Sequence, residues 1–229
     1  MFKPGDVISY LDMCKEEGVN LQRGMNFRLK GSSSVILMSV RRGAPYADRV
    51  EEGGSVLIYE GHDVSKNSHN SRPKVVDQPL YNPNGSLTQN GLFFKAAVDY
   101  KKKVSKSERV KVYEKIKAGI WVYNGVFELV DAWQEKSSKR TVFKYKFHIN
   151  KVQTATNDQR DLEHSRLVPT SVKLEVWKRD KGKCVECGSS DNLHFDHIIP
   201  FSRGGSSLVA ANIQLLCARH NLAKYDQIQ

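Results

Sequence analysis

No apolar run in this 229-residue chain approaches the roughly 20 residues that span a bilayer, and the start M-F-K-P-G-D lacks the apolar core of a secretion signal. The expectation is a soluble, intracellular protein. Cysteine is scarce: of four residues, three fall at metal-binding spacing, which argues against a disulfide framework. No internal repeat is present, and no segment is biased enough in composition to read as disordered. Acidic residues are outnumbered, with 25 Asp and Glu against 36 Lys and Arg, a formal net charge of +11. Such a surplus points toward nucleic acid as a partner.

The positive charge is spread along the chain. Residues 166–229 hold nine Lys/Arg and six Asp/Glu, and the remainder is basic as well. The densest stretch runs from Lys95 through Lys101, Lys102, Lys103, Lys106, Arg109 and Lys111 to Lys117. It reads either as a solvated edge or as a surface that tracks phosphates, with binding that weakens steeply in salt.

Length argues for two domains. Residues 1–149 read as mostly strand, with β-branched or aromatic runs at Val35–Val40, Val56–Tyr59, Leu92–Val98, Gly119–Val130 and Val142–Phe147 separated by Gly, Pro, Asn and Ser clusters. An open or closed barrel is the expected outcome. A short helix ends near Gly18, and Cys14 falls on its apolar stripe with Val7 and Leu11, a packing position. Residues 150–166 are polar and read as a linker. A helix then starts at Pro169–Ser171 and is closed by Gly182.

The last quarter of the chain carries the chemistry. Cys184 and Cys187 have two residues between them, and Cys217 and His220 repeat that spacing further on. Three sulfurs and one imidazole make a closed tetrahedral set suited to structural zinc, with no position left for substrate. Leu193 and Phe195 alternate with His194 and Asp196, a period of two that marks a half-buried strand running into His197 and stopped by Pro200. Asp196 and His197 therefore sit at a strand end facing a loop, of which S-R-G-G-S-S (202–207) is turn material. Asn212 opens an apolar run toward Cys217 and a final helix bearing Asn221 and Lys224.

Residues 167–226 resemble an HNH endonuclease domain of the cysteine-knuckle type. The resemblance implies a two-stranded hairpin and a helix clasping a catalytic metal, the ββα-metal fold, beside a separate structural zinc. It makes His197 the general base and Asn212 the residue that steadies the loop and orients the imidazole. Asp196 and Asn221 become the catalytic-metal ligands. His220 stands where many relatives have cysteine, and Asn221 where others have histidine. Hydrolysis of a phosphodiester needs a cation on its oxygens and a base near neutral pKa, which these residues supply. Oxygen donors at Asp196 and Asn221 favour magnesium or manganese over a second zinc. Arg203 and Lys224 read either as phosphate contacts or as solvated charge. His194 reads as structural.

Several fragments of the N-terminal part look like the SRA (SET and RING associated) domain, a relative of PUA-like barrels. Y-E-G at 59–61, D-Q-P-L with N-G-S-L between 77 and 87, and Y-N-G-V-F-E-L-V-D-A-W at 123–133 followed by V-F-K-Y-K-F fall in that family's order. The whole is an α+β chain: an SRA-like β-barrel plus a zinc-stapled HNH domain over residues 167–229. It is similar to bacterial modification-dependent restriction endonucleases, which implies a cytoplasmic enzyme of bacterial or phage type acting on double-stranded DNA that contains modified cytosine. What the resemblance implies is base flipping, with 5-methylcytosine or 5-hydroxymethylcytosine held between aromatic rings. Tyr46 and Tyr59 are the stacking candidates and Asp48 the partner of the exocyclic amine. Thr88, Gln89 and Asn90 are candidates for a loop that enters a groove. One HNH site cuts one strand, so double-strand cleavage calls for a homodimer or two visits. A nuclease indifferent to modification and a catalytically silent zinc-stabilised DNA-binding module are the competing readings.

Overall fold

The computed structural model describes residues 2–31, 33–65, 72–149, 167–200 and 203–224. The expected linker at 150–166 lies outside the described residues.

The N-terminal part is built on strands β1 (Val7–Ile8), β2 (Met25–Asn26), β3 (Ser34–Met38), β4 (Arg49–Glu51), β5 (Val56–Glu60), β6 (Glu108–Lys117), β7 (Ile120–Ser137) and β8 (Arg140–Ile149). Their ladder runs β2-β3-β6-β7-β8-β5-β4, with β1 added to β7. Only β3 and β6 run parallel; the other ladders of this sheet are antiparallel. Among the described residues no ladder joins β2 to β4, so the barrel is an open one.

Two helices complete this part. Helix α1 (Tyr10–Glu17) is started by a reciprocal cap, in which Asp12 N donates to Ser9 Oγ at 3.1 Å and Ser9 N donates to the Asp12 carboxylate at 3.3 Å. Gly18 ends it at φ 65°, where a side chain is disfavoured. The expected stripe is corrected here. Val7 belongs to β1, Leu11 is 77 % exposed, and the helix buries Met13 while Cys14 is half-buried at its edge.

Helix α2 (Gln89–Lys101) is a second correction, because Leu92–Val98 reads as strand by composition. Thr88 caps it by accepting Gly91 N at 3.1 Å, and Asn90, Phe93 and Ala97 fall on one buried face. That face closes the barrel: Phe93 meets Phe27 and Tyr145 edge-on at 5.3 and 6.1 Å. Helical burial outweighs the β propensity of Phe93, Phe94 and Val98.

The C-terminal part contains helix α3 (Thr170–Arg179), the antiparallel hairpin β9 (Leu193–His197) and β10 (Ile213–Cys217), and helix α4 (Ala218–Lys224). It has no separate core. Val172 and Val176 of α3 and Phe195, Ile213 and Leu215 of the hairpin pack in one cluster with Ile116 and Val122 of the barrel. The N-terminal segment stitches the two parts together. Gly5 N donates to Tyr123 O of β7 at 2.8 Å, Phe195 N of β9 donates to Gly5 O at 3.2 Å, and Asp6 bridges His194.

Candidate functional site

The hairpin ends bring the four metal-type ligands together. The Sγ atoms of Cys184, Cys187 and Cys217 and a ring nitrogen of His220 all lie within 4.8 Å of one another. Cys184 and Cys217 Sγ stand 3.3 and 3.4 Å from His220 Nδ1, and Cys187 and Cys217 Sγ stand 3.9 Å apart. Tetrahedral zinc with bonds near 2.3 Å to sulfur and 2.0–2.1 Å to nitrogen gives edges of about 3.6–3.8 Å, so the donor set fits that ion. Burial raises the Cys184 thiol, but backbone N–H groups of Cys217, Cys187 and Glu186 outweigh it and bring its pKa down to about 6. That favours the thiolate a metal requires. Among the described residues no other group of three or more His, Cys, Asp or Glu side chains clusters in this way.

Asp196 and His197 close strand β9, paired in register with Gln214 and Ile213. The His197 ring is buried, and its Nε2 lies 2.8 Å from Ser207 Oγ. Asn212 is buried behind it and laces the loop to the hairpin. Its Oδ1 accepts Ile199 N at 2.8 Å, its Nδ2 donates to Ile199 O and Ser206 O at 3.0 and 3.2 Å, and its carbonyl accepts Ile198 N. Gly205 permits this closure, since a Cβ there would collide with the Ile199 carbonyl. The loop that carries Ser207 is thereby fixed to the strand that carries His197.

Lys224 lies elsewhere than a surface phosphate contact would. It is 5 % exposed, and its ammonium donates to Asp196 Oδ2 at 2.5 Å and to His197 O. The last turn of α4 points this side chain back along the hairpin, so a positive charge rests where two oxygens converge. Asn221 is half-buried one turn earlier on α4, and Arg203 is exposed on the turn after Pro200. His194 is paired with Asp6.

A second feature lies in the N-terminal part. A cleft of about 490 Å³ is lined by Tyr46, Asp48, Glu60, Lys74, Ser137 and Arg140, among others. Tyr46 and Asp48 therefore share one cavity. Tyr59 does not line it: with both faces of β5 buried, its ring is sealed in the barrel core at 1 % exposure, and this corrects the expectation of a stacking surface. The ring parallel to Tyr46 is His62, at 5.2 Å and 10°. Tyr59 meets His62 at a tilt, with ring centres 6.2 Å apart and its hydroxyl 3.0 Å from Nε2, and Lys74 Nζ lies 4.0 Å from the Tyr46 ring centre.

Charges in the cleft are strongly perturbed. Asp48 accepts Ser39 N at 3.1 Å and Glu60 N at 3.0 Å, yet burial dominates and pushes its pKa up to about 7. Burial also lowers His62 to about 4, which keeps the ring neutral. Glu60 is buried between Arg140 and Lys144 at 3.1 and 2.9 Å. His62, Glu60, Lys74 and Arg140 escape a reading of the sequence. Only the E, H and D around Y-E-G-H-D could have flagged this spot.

The remaining candidates are scattered. Lys101, Lys102 and Lys103 are exposed at the end of α2, Lys101 pairing with Asp131 at 2.7 Å. Lys95 pairs with Asp99 and Lys111 with Glu17, so part of the basic stretch is neutralised. Thr88 and Asn90 serve structure, as the α2 cap and as a buried bridge to His62. Gln89 accepts Phe27 N.

Residues 2–153 match the SAD/SRA domain family model, and residues 184–227 match the HNH endonuclease model. No curated protein matches the chain. Among solved structures, the SRA domain of SUVH5 in complex with hemimethylated CG DNA is 26% identical over 64% of this chain and 88% of that one, with a TM-score of 0.45. The same domain bound to fully hydroxymethylated CG DNA is 25% identical, covering 64% and 87%, at 0.44. The modification-dependent TagI restriction endonuclease is 19% identical and covers 96% of this chain and 76% of its own, at 0.46.

Proposed function

Because this chain belongs to the SAD/SRA domain family and carries an HNH endonuclease match behind that domain, we propose that it is a modification-dependent DNA endonuclease. Residues 1–149 read a modified cytosine in double-stranded DNA, 5-methylcytosine or 5-hydroxymethylcytosine, and residues 167–229 cut the duplex, as a cytoplasmic defence against foreign modified DNA. The observation that carries this reading is the adjacency of Asp196 and His197 on a hairpin clasped by a Cys3His cluster. A mere clamp on DNA has no use for a buried imidazole at the end of that hairpin.

In this reading zinc at Cys184, Cys187, Cys217 and His220 is structural. Asp196 and Asn221 would hold a magnesium or manganese ion, which would neutralise charge on the phosphate oxygens. His197 takes the proton of the attacking water while Ser207 holds its ring, and Asn212 holds the loop that carries Ser207. Lys224 would release Asp196 to that ion, and Arg203 with Lys101, Lys102 and Lys103 contacts the DNA backbone. At the cleft, Tyr46 and His62 part to admit a base flipped out of the stack, and Asp48 meets its polar edge. Tyr59 orients His62 through its hydroxyl.

The test is digestion of methylated, hydroxymethylated and plain plasmids by the wild type and by a His197→Ala variant. Cutting confined to modified plasmids and lost with His197 is expected. Equal cutting of all three discards modification reading, and undiminished cutting by the variant discards the assigned base.

A further inference from the structure

Helix α3 lies between the two family-model matches, in the gap from 153 to 184, and its buried side is polar at one point. Lys173, 1 % exposed, donates to Glu114 Oε2 on β6 at 2.5 Å and to Asn124 Oδ1 on β7 at 2.8 Å. Asn124 Nδ2 donates to the same Glu114 oxygen at 2.9 Å, and Thr170 Oγ1 donates to the other. Glu114 is fully buried. Two side chains of the barrel and two of a helix outside both family matches thus satisfy one another in a buried site.

We propose that Lys173 and Thr170 are positioning residues: their network with Glu114 and Asn124 locks the hairpin that bears His197 onto the barrel, so that the cut falls at a set distance from the base that is read. This rests on the function proposed above. Chain connectivity alone cannot set that distance, because the stretch numbered 150–166, if extended, would reach on the order of 50 Å. The apolar part of the interface resists separation but tolerates sliding. A buried ion pair does not, since a slip of one residue strands a charge without a partner. Replacing such a pair with apolar residues often leaves stability unchanged, so its presence fits a role in register better than one in stability. The lock also lies close to the cleft. Ser39, whose N–H holds Asp48, donates its hydroxyl to Lys115 O, the residue next to Glu114.

Burial by itself raises the Glu114 carboxyl, but the Lys173 charge and the hydrogen bonds from Asn124, Lys173 and Thr170 outweigh it and hold it below its ordinary value. Burial lowers the Lys173 ammonium, and the charge and hydrogen bond of Glu114 oppose that fall.

The test uses the full chain, with a Lys173→Met variant and a Lys173→Met/Glu114→Leu double variant. On a duplex with one modified cytosine, wild type should cut at one position per strand. Lys173→Met should spread the cuts over several positions while DNA affinity stays within about twofold. The double variant should regain the thermal midpoint yet keep the spread, which separates register from stability. Hydrogen exchange gives a readout that needs no DNA: the bridging amides of Gly5 and Phe195 should exchange at least tenfold faster in Lys173→Met, with Val112 inside the barrel unchanged. Unchanged exchange at Gly5 and Phe195 overturns the proposal, and so does an unaltered cut position. If wild type cuts plain DNA equally well, the functional reading fails, and the exchange experiment still decides whether the lock exists.

Discussion

The Lys224 ammonium lies 2.5 Å from Asp196 Oδ2 beside the hairpin that also carries His197, so a buried lysine neutralises the carboxylate proposed above to hold a divalent ion. Removing one partner of a buried pair leaves an uncompensated charge and costs about 3–5 kcal/mol. Lys224→Met should lose stability on that scale in a metal-free buffer. Added manganese should restore more of it than it adds to the wild type, because the ion takes the vacated place. Denaturant melts with and without manganese measure both. An equal manganese effect on the two proteins would refute the exchange of lysine for metal.

His197→Ala should lower cleavage by about 10²–10⁴-fold, the range a general base supplies, with affinity for modified DNA retained. Ser207→Ala, which frees Nε2 without deleting the ring, should fall between wild type and His197→Ala. Single-turnover rates alongside filter binding separate the two effects.

The Cys3His cluster joins the knuckle at Cys184 to the end of β10, and that strand contributes Leu215 and Leu216 to the core shared with the barrel. Stripping zinc, or Cys217→Ser, should therefore expose part of the shared core instead of loosening only a peripheral loop. One zinc per chain by elemental analysis, and a fall in thermal midpoint of well over 5 °C on chelation, are expected. A metal-free protein with an unchanged midpoint would remove zinc from the account.

His62 is depressed to about 4 by burial against an ordinary 6.5, so the unfolded chain binds more protons between those values. Stability from this residue is therefore full above pH 6.5 and is lost as pH falls through the window toward 4. His62→Phe keeps a ring beside Tyr46 and removes the titration. Between pH 7 and pH 5 it should lose less stability than wild type, by about 1–2 kcal/mol. Parallel pH profiles of the two proteins would show that His62 is not the titrating group. Asp48 acts with the opposite sign: raised to about 7, it costs stability as pH climbs from about 4 to 7.

Local signals were legible in the chain. Cys184 with Cys187 and Cys217 with His220 are legible as pairs because each sits on one short knuckle, and the β9 period of two places Leu193 and Phe195 inward. Strand runs at 35–40, 56–59, 119–130 and 142–147 overlap real strands. The reading failed where partners come from far along the chain. Leu92–Val98 is helical because it faces the barrel core, Tyr59 is sealed because its side chain joins that core, and Lys224 is buried because α4 folds back on Asp196.

By itself the sequence determined the two cysteine-bearing pairs, the neighbouring Asp196 and His197 and the two family regions, since these depend on local spacing and local motifs. Tertiary structure alone decided that Lys224 neutralises Asp196, that His62 and not Tyr59 faces Tyr46, and that Lys173 docks on Glu114. Those outcomes depend on which side chains lose their water together, and desolvation is a property of the assembled fold, not of any segment within it.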